Sequence, residues 1–270
     1  MNANITLGQY LPGDSYVHRL DPRTKIVLMI LYIVIVFLVK ALPVFLLPAL
    51  LLVAMFLLAH VPASYMVSSI RPMKWLLVFM FLINLFFTQG ETVLLSWRFI
   101  RITKEALHQA VFITLRLILL VAGTSMLTLT TSPIALTDGI ERLLMPLNKL
   151  HFPTHELAMM MTIALRFIPI LMEETDRIRK AQMARGADFE SGNLIQRAKS
   201  MIPVLVPLFV SAFRRADELA MAMESRCYHG GQGRTRMREL HFHAGDLVGL
   251  VLFAAVLGAI LLLQRFVFPQ

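Results

Sequence analysis

Long apolar runs separated by short charged segments dominate the hydrophobic and polar pattern of this chain. All fourteen residues from Ile26 to Val39 are apolar, and after Lys40 a second run extends from Ala41 to Ala59. Three more runs follow, at residues 75–87, 110–130 and 247–263. Because a helix needs roughly 20 mainly apolar residues to span a bilayer, the pattern predicts about five transmembrane helices.

The composition agrees with a membrane protein and excludes several other classes. Hydrophobic residues make up 57% of the 270 residues and charged residues 16%, whereas a soluble domain has roughly 45–50% and about 25%. A single cysteine, Cys227, excludes an internal disulfide. The net charge of +9 is typical of positive charge retained in cytoplasmic loops, and the chain lacks the basic, aromatic-rich runs of single-strand nucleic-acid binders. We therefore predict an all-α polytopic membrane protein.

Charged residues concentrate in one central region. Residues 131–244 contain fifteen of the 26 basic residues and twelve of the 17 acidic ones. We therefore predict an N-terminal membrane domain with four transmembrane helices (1–131), a cytoplasmic domain with two long helices (132–244) and a C-terminal transmembrane helix (245–270). The bias of Lys and Arg toward the cytoplasmic side places the N-terminus and the central region inside the cell and the C-terminus outside.

Two features of the membrane domain interrupt its apolar pattern. The predicted outer segment, residues 88–105, contains a partly alternating stretch, Val93–Thr103, which indicates a short β-hairpin at the membrane interface. Arg116 interrupts the fourth apolar run. An intramembrane charge is a candidate functional residue, but near the outer end of a helix it can also snorkel to the interface, and we favour snorkelling.

Helix-end signals divide the central region into three helices. A short helix, Pro133–Leu144, should follow Ser132, a candidate N-cap before proline. A long helix is predicted from Thr154, its candidate N-cap, to Arg185, with Gly186 as its C-terminal stop. A third helix begins at Pro203. Both long helices are apolar in their first half and charged in their second.

The two long helices are related by a shift of 41 residues. The shared pattern, D-x-[IL]-x-x-A-x-x-[AS]-R, superimposes Asp176 on Asp217 and ends at an arginine in each copy. Positions three and seven residues apart share one face of a helix. The resulting stripes are Ile178, Ala181 and Arg185 on the first helix, and Leu219, Ala222 and Arg226 on the second.

Each arginine therefore stands at the C-terminal end of a helix, in line with a small apolar stripe. A cation at this end interacts favourably with the helix dipole, by about 0.3–1 kcal/mol, so a purely structural role is one interpretation. Recognition of a carboxylate on a partner protein is the other, because the forked guanidinium matches carboxylate geometry.

These residues resemble the transmembrane T component of energy-coupling factor (ECF) transporters. Ala184-Arg185-Gly186 matches its Ala-Arg-Gly signature. Ser225-Arg226-Cys227 is similar to the second copy, with serine and cysteine in place of alanine and glycine. Four longer segments also resemble the family: Pro12–Lys25, Leu136–Leu144, His155–Pro169 and Ser211–Glu224.

The resemblance implies a coupling subunit of an ABC-type importer in the bacterial cell membrane. In this family the helices with the arginine signatures lie on two cytosolic ATPases as coupling helices. Their apolar parts hold a separate membrane protein, the S component, which binds a vitamin or another micronutrient. ATP and Mg²⁺ are then expected on the partner ATPases, and no cofactor is expected on this chain. Nucleotide hydrolysis is expected to move the coupling helices.

The chemistry of the chain itself agrees with a non-catalytic role. No G-x-x-x-x-G-K-[ST] motif occurs in the sequence, so a partner would have to hydrolyse ATP. No H-E-x-x-H occurs either, and Pro153 between His151 and His155 argues against a metal site on one helix face. We expect neither a metal site nor enzymatic activity.

Four methionines of the first long helix are candidates for contact with the S component. The methionine side chain adapts to surfaces of different shape, which suits partners that must be exchanged. Packing within a core is the alternative interpretation. The residues are Met159, Met160, Met161 and Met172.

Two functions from other classes are alternatives. A self-contained ABC permease would form its own substrate path and carry polar residues in several spans, where Asn84 and Arg116 are nearly alone. An intramembrane enzyme would need paired aspartates, a Ser–His pair or a metal triad at membrane depth, and the sequence shows no such arrangement. The sequence does not identify the vitamin or metal, because the pocket would lie on another polypeptide.

Overall fold

The computed structural model describes residues 10–97, 100–146, 153–189, 191–230 and 242–266. Its α-helices are α1 (Tyr16–Arg19), α2 (Pro22–Leu38), α3 (Leu46–Leu58), α4 (Ala63–Ile70), α5 (Lys74–Phe87), α6 (Lys104–Thr130), α7 (Pro133–Leu144), α8 (Thr154–Ala184), α9 (Leu194–Ser200), α10 (Ile202–Glu224) and α11 (Ala244–Phe266). Short 3₁₀ helices, Leu42–Phe45 and Arg71–Met73, precede α3 and α5, and the strands are β1 (Val93–Trp97) and β2 (Ile100–Thr103). The chain divides into two compact units, Met1–Ile140 with Leu240–Gln270, and Glu141–Glu239.

Four helices in the described part of the chain are long and apolar enough to cross a membrane: Ala63–Phe87, Lys104–Thr130, Thr154–Ala184 and Ala244–Arg265. Three of them overlap the predicted third, fourth and fifth spans, and the other is the first long helix of the central region. The first two predicted spans correspond to α2, with 17 residues, and to the shorter apolar helix Leu42–Leu58, which are near the lower limit for a span. The prediction of an all-α polytopic membrane protein is confirmed.

Helix α2 lies at the centre of the core of the first unit. Its buried residues recur at helical spacing, for example at Leu28, Tyr32 and Val36, and they belong to one cluster with buried residues of α3, α6 and α11. Helix α6 packs closely against α2 at Gly123, where an added Cβ would lie 2.2 Å from a ring carbon of Tyr32. Glycine at this position therefore leaves room for the ring, whose hydroxyl donates to the Leu119 carbonyl (3.3 Å).

A buried carboxylate joins the N-termini of α2 and α11. Asp246 is 1% exposed and accepts hydrogen bonds from the backbone N–H of Asp21 (2.9 Å) and of His243 (2.8 Å). Asp21 is the N-cap of α2, and His243 directly precedes α11. Lys25, in the first turn of α2, donates to the Thr130 carbonyl at the end of α6 (2.9 Å). These contacts connect three helices that are far apart in the sequence.

The N-cap of α2 also carries an ion pair. Arg23 Nη2 lies 2.8 Å from Asp21 Oδ2. Burial by itself raises the pKa of the Asp21 carboxyl, but the hydrogen bonds and the charge of Arg23 outweigh it and hold this pKa below its usual range. The Arg23 guanidinium lies 4.2 Å from the centre of the Phe242 ring. Charge at this end of α2 is thus compensated by neighbours on α2 itself and before α11.

The C-terminal end of α2 is capped by side chains from two other helices. Arg116 of α6 donates to the Val39 carbonyl (2.8 Å), and Gln264 of α11 donates to the Leu38 carbonyl (2.8 Å). The last carbonyls of a helix have no partner within the helix, and these two donors satisfy them. Two phenylalanine rings lie 4.7 and 5.6 Å from the guanidinium carbon of Arg116. Arg116 therefore acts as a cap for a neighbouring helix.

The hairpin predicted within residues 88–105 is confirmed. Strands β1 and β2 pair in antiparallel register, with Val93 opposite Thr103 and Trp97 opposite Ile100. Thr103 then serves as the N-cap of α6, because its side chain accepts a hydrogen bond from the Ala106 N–H (3.2 Å). The hairpin therefore leads directly into α6.

Candidate functional site

The second unit contains α8 and α10, the helices that carry the arginine signatures. Thr154, predicted as the N-cap of α8, is instead its first helical residue, and Pro153 occupies the N-cap position. The reason is local, since Pro153 has φ −78° and ψ 67°, outside the helical region. α10 begins at Ile202, with Pro203 in its first turn, where its missing N–H costs no hydrogen bond.

Both helices end in a Schellman motif, the pair of backbone hydrogen bonds that satisfies the last carbonyls of a helix. Adding 41 to the residue number of each donor and acceptor at the end of α8 gives the donors and acceptors at the end of α10. The bonds are Gly186 N–H to Met183 and Ala187 N–H to Gln182 (both 3.0 Å) in α8, and Cys227 N–H to Glu224 (2.9 Å) and Tyr228 N–H to Met223 (3.1 Å) in α10. The sequence repeat therefore extends to the backbone geometry of both caps.

Cys227 adopts the left-handed backbone conformation that Gly186 adopts in the first copy. The φ angles are +55° at Cys227 and +89° at Gly186. A residue with a Cβ atom loses roughly 1–2 kcal/mol in this conformation, and glycine does not. The second signature thus keeps the geometry of the cap without its glycine, at a cost in backbone strain.

Arg185 and Arg226 directly precede these left-handed residues, and both side chains are exposed. Within the ranges that the structure describes, neither guanidinium meets a carboxylate. Ala184 is the last helical residue of α8, and Ser225 is the C-cap of α10. Of the predicted supporting residues, Ile178, Leu219 and Ala222 are half-buried and Ala181 is exposed.

An ion pair joins α8 and α10 at equivalent positions of the repeat. Arg215 Nη2 donates to Glu174 Oε2 (3.2 Å), and the two residues are 41 positions apart. Contact between equivalent positions is the result expected when two helices are related by an approximate twofold axis. The signal for it in the sequence was the alignment of Glu-Glu at 173–174 with Arg-Arg at 214–215.

The two helices run in opposite directions through this contact. Met159 and Ile163 of α8 precede it and Leu219 and Met223 of α10 follow it, yet all four line one groove of about 440 Å³. Parallel helices would hold these two pairs on opposite sides of the contact. The two arginines therefore lie on opposite sides of it, each 11 residues beyond the ion pair, which is about 16 Å along a helix.

The four candidate methionines fall into two groups. Met159 is half-buried and lines the groove, whereas Met160, Met161 and Met172 are between 42% and 55% exposed. Met161 and Met172 form an exposed apolar stripe with Ile168 at helical spacing. The equivalent residues of α10, shifted by 41, are Ile202, Phe209 and Phe213, which are exposed as well.

Of the two histidines considered as metal ligands, His155 lies in the first turn of α8. His151 falls outside the described residues. His155 Nδ1 lies 3.1 Å from Glu141 Oε1. Among the residues with a described position, no three His, Cys, Asp or Glu side chains are grouped as a metal site would require.

Similarity to known proteins extends over nearly the whole chain. The profile of the family CbiQ, described as "Cobalt transport protein", matches residues 13–237. The "Energy-coupling factor transporter transmembrane protein EcfT" of Clostridium kluyveri is 53% identical over 266 residues, 98% of each chain. The proteins of the same name from Acidaminococcus fermentans and Bacillus subtilis are 53% identical over 255 residues (94% of this chain, 95% of the relative) and 48% identical over 260 residues (95% and 98%).

Identity near 50% over almost the full length of both chains indicates common descent with the same fold. The apolar helices of the structure agree with the membrane location that these names state. The relatives are components of transporters rather than enzymes. This chain therefore belongs to the family of the energy-coupling factor transporter transmembrane protein EcfT.

Proposed function

We propose that this chain is the coupling subunit of an ECF-type ABC importer. It transmits ATP-driven motion from two ATPase subunits to a separate S component, which binds a vitamin or another micronutrient. Family membership supports a role in membrane transport. The finer proposal is carried by one observation: two exposed arginines stand at equivalent helix ends, on opposite sides of one helix contact.

Two equivalent arginine ends suit two ATPase subunits. In straight antiparallel helices, Arg185 and Arg226 would be at most about 33 Å apart, which is twice the distance along one helix from the ion pair to its arginine. An exposed guanidinium can form two parallel hydrogen bonds with a carboxylate, and such charge-assisted pairs are stronger than neutral ones. We assign one ATPase to the end of α8 and the other to the end of α10. ATP and Mg²⁺ bind to those partners, and this chain alone hydrolyses no ATP.

The apolar stripes of the same two helices suit the S component. Met161, Ile168 and Met172 on α8 are exposed, and so are their three equivalents on α10. Exposed apolar surface of this kind indicates contact with lipid or with another membrane protein. Methionine and phenylalanine side chains at such a surface can accommodate S components of different shape.

The proposed orientation places the N-terminus and the coupling region, with the arginine ends of α8 and α10, in the cytoplasm and the C-terminus outside. It rests on the concentration of basic residues in the central region. With Cys227 replaced by serine, a cysteine introduced at Gln270 should react with an impermeant reagent in intact cells, and one at Gly230 should not. The opposite labelling would reverse the orientation.

The experiment for the coupling role uses the complex that co-purifies with this chain, reconstituted in proteoliposomes with a riboflavin-specific S component. The Arg185→Ala, Arg226→Ala double variant should nearly abolish uptake of radiolabelled riboflavin while the S component stays bound. Truncating one partner of a buried charge pair typically costs about 2–5 kcal/mol, because the other charge is left unpaired. Lysine at both positions should restore little uptake, since it keeps the charge but not the forked geometry.

The matched control replaces two other arginines on the same helices. Arg179 and Arg214 are exposed and lie in the charged halves of α8 and α10. Their double alanine variant should transport riboflavin within about twofold of the wild type. Normal uptake by the Arg185, Arg226 double variant would show that these arginines are helix-end cations only, and the coupling assignment would be rejected.

A further inference from the structure

The charged halves of α8 and α10 carry opposite charges at equivalent positions. Residues 173–177 read Glu-Glu-Thr-Asp-Arg, and residues 214–218 read Arg-Arg-Ala-Asp-Glu. The sign of the charge is reversed at the first, second and fifth positions, while the aspartate at the fourth is retained. The repeat is therefore similar in its framework and complementary in its charge.

Complementary charge is required where equivalent residues meet. An approximate twofold axis between two helices places each residue near the axis against its own equivalent. Identical charged residues at such a position would repel each other. With Glu174 in one copy and Arg215 in the other, the two side chains attract and form the 3.2 Å ion pair.

This ion pair lies on the packing faces of the helices. The half-buried residues at helical spacing on α8 include Ile163, Phe167, Ile170, Glu174 and Ile178. Their equivalents on α10, all half-buried or buried, are Val204, Leu208, Ser211, Arg215 and Leu219. Every other charged residue between 163 and 178 or between 204 and 219 is exposed. Glu174 and Arg215 are thus the charges within otherwise uncharged faces.

The ion pair between Glu174 and Arg215 determines the register of the two helices more than it stabilises the fold. The side chains of Glu174 and Arg215 remain 24% and 39% exposed, and ion pairs in contact with water contribute little to stability. Apolar residues of similar volume would pack at least as well. Sliding one helix past the other by a turn, about 5.4 Å, would separate the two charges and leave them against apolar side chains. The pair therefore favours the observed register over one shifted by a turn.

We propose that Glu174 and Arg215 are positioning residues that fix the crossing point of α8 and α10. A helix that pivots about a fixed point passes a displacement at its arginine end to the apolar stripe on the other side of that point. A helix that slides at the contact does not. This inference rests on the proposed coupling function. It names the residues through which motion at the arginine end of each helix reaches the apolar stripe.

Charge reversal tests the proposal in the reconstituted complex with the riboflavin-specific S component. The quantity measured is radiolabelled riboflavin taken up per ATP hydrolysed. Glu174→Arg alone, which sets two like charges against each other, should lower this ratio at least fivefold while both ATPases and the S component still co-purify. Adding Arg215→Glu should restore the ratio to half of the wild-type value or more. Recovery is partial because Arg177 follows one turn after position 174.

The matched control makes the same charge changes one residue earlier. Glu173 and Arg214 are exposed, so Glu173→Arg and Arg214→Glu, alone and together, should leave the ratio within twofold of the wild type. A purely structural role of the ion pair would show itself differently. It would lower the amount of assembled complex and leave uptake per ATP unchanged.

An unchanged ratio in Glu174→Arg would overturn the proposal, as would an assembled double variant without recovery. If the double variant does not assemble, Glu174→Gln tests the positioning role instead, because glutamine removes the charge and keeps the size of the side chain. We expect it to lower the ratio at least threefold, and a wild-type ratio would also overturn the proposal. The Arg185→Ala, Arg226→Ala variant distinguishes a failure of the proposed coupling function from a failure of the positioning role. Normal transport by that variant would reject the coupling function. Impaired transport by that variant, together with normal transport by the Glu174 variants, would reject the positioning role alone.

Discussion

Replacing Asp246 by alanine removes the carboxylate that joins the N-termini of α2 and α11. This carboxylate accepts the backbone N–H of Asp21, 225 positions away in the sequence, at 2.9 Å. It also accepts the N–H of His243, just before α11, at 2.8 Å. Asp246 is 1% and Asp21 4% exposed, so bulk water cannot replace the lost acceptor at the Asp21 N–H, which should remain unpaired in the variant. His243 is exposed, and water can accept a hydrogen bond from its N–H.

The expected loss of stability follows from the Asp21 donor. A buried donor left without a partner costs about 1–3 kcal/mol, so Asp246→Ala should lower the free energy of unfolding by about 2 kcal/mol. Asp246→Asn keeps one acceptor oxygen and should lose about half as much. At roughly 2 °C per kcal/mol for a chain of this size, the melting temperature should fall by about 4 °C for alanine and about 2 °C for asparagine.

The measurement is thermal unfolding of the purified protein in detergent, followed by tryptophan fluorescence. Asp217 is exposed on α10, and Asp217→Asn is the matched control, with an expected change of less than about 1 °C. A fall in Asp246→Ala no larger than that of the control would refute the reasoning, because it would mean that the Asp21 N–H finds another acceptor.

Two further predictions concern glycine positions. Gly123→Ala should lower the melting temperature by several degrees, because the new Cβ would lie 2.2 Å from a carbon of the Tyr32 ring and overpacking costs about 1–3 kcal/mol. Gly258→Ala, where nothing lies within 4 Å, is its control and should not lower it. Cys227→Gly should strengthen the cap of α10, and Gly186→Ala should weaken that of α8, each by about 1 kcal/mol, since both positions have positive φ. Amide hydrogen exchange at the two helix ends should change in opposite directions, and equal changes would contradict the shared cap geometry.

Local sequence patterns were sufficient for the longer helices of this protein and for many of their ends, but the short helices α1, α4 and α9 were not predicted. The helix Pro133–Leu144 lies where the N-cap signal of Ser132 predicted it. The stop at Gly186 is the left-handed residue of a Schellman motif. These features depend on neighbours within one or two turns of a helix, so the residues that determine them are adjacent in the sequence. The error at Thr154 amounts to one residue, which is the usual uncertainty at a helix end.

The repeat and its arginines were also visible in the sequence, because a shift of 41 residues superimposes them. The conformation of Cys227 was not visible. Its Cβ atom disfavours a left-handed backbone, and the residue adopts it because the hydrogen bonds of the cap, at 2.9 and 3.1 Å, require it. The capping role of Arg116 likewise depends on the end of α2, 77 positions away.

Only the tertiary structure decided which charges meet. The sequence shows that Glu174 and Arg215 are equivalent, but their contact at 3.2 Å exists because α8 and α10 run in opposite directions past each other. Asp246 reads in the sequence as an ordinary acidic residue in the first turn of a helix, and packing makes it the acceptor for a second helix. Long-range contacts of this kind depend on the relative placement of whole helices, which is determined by the packing of many side chains together and not by any local pattern.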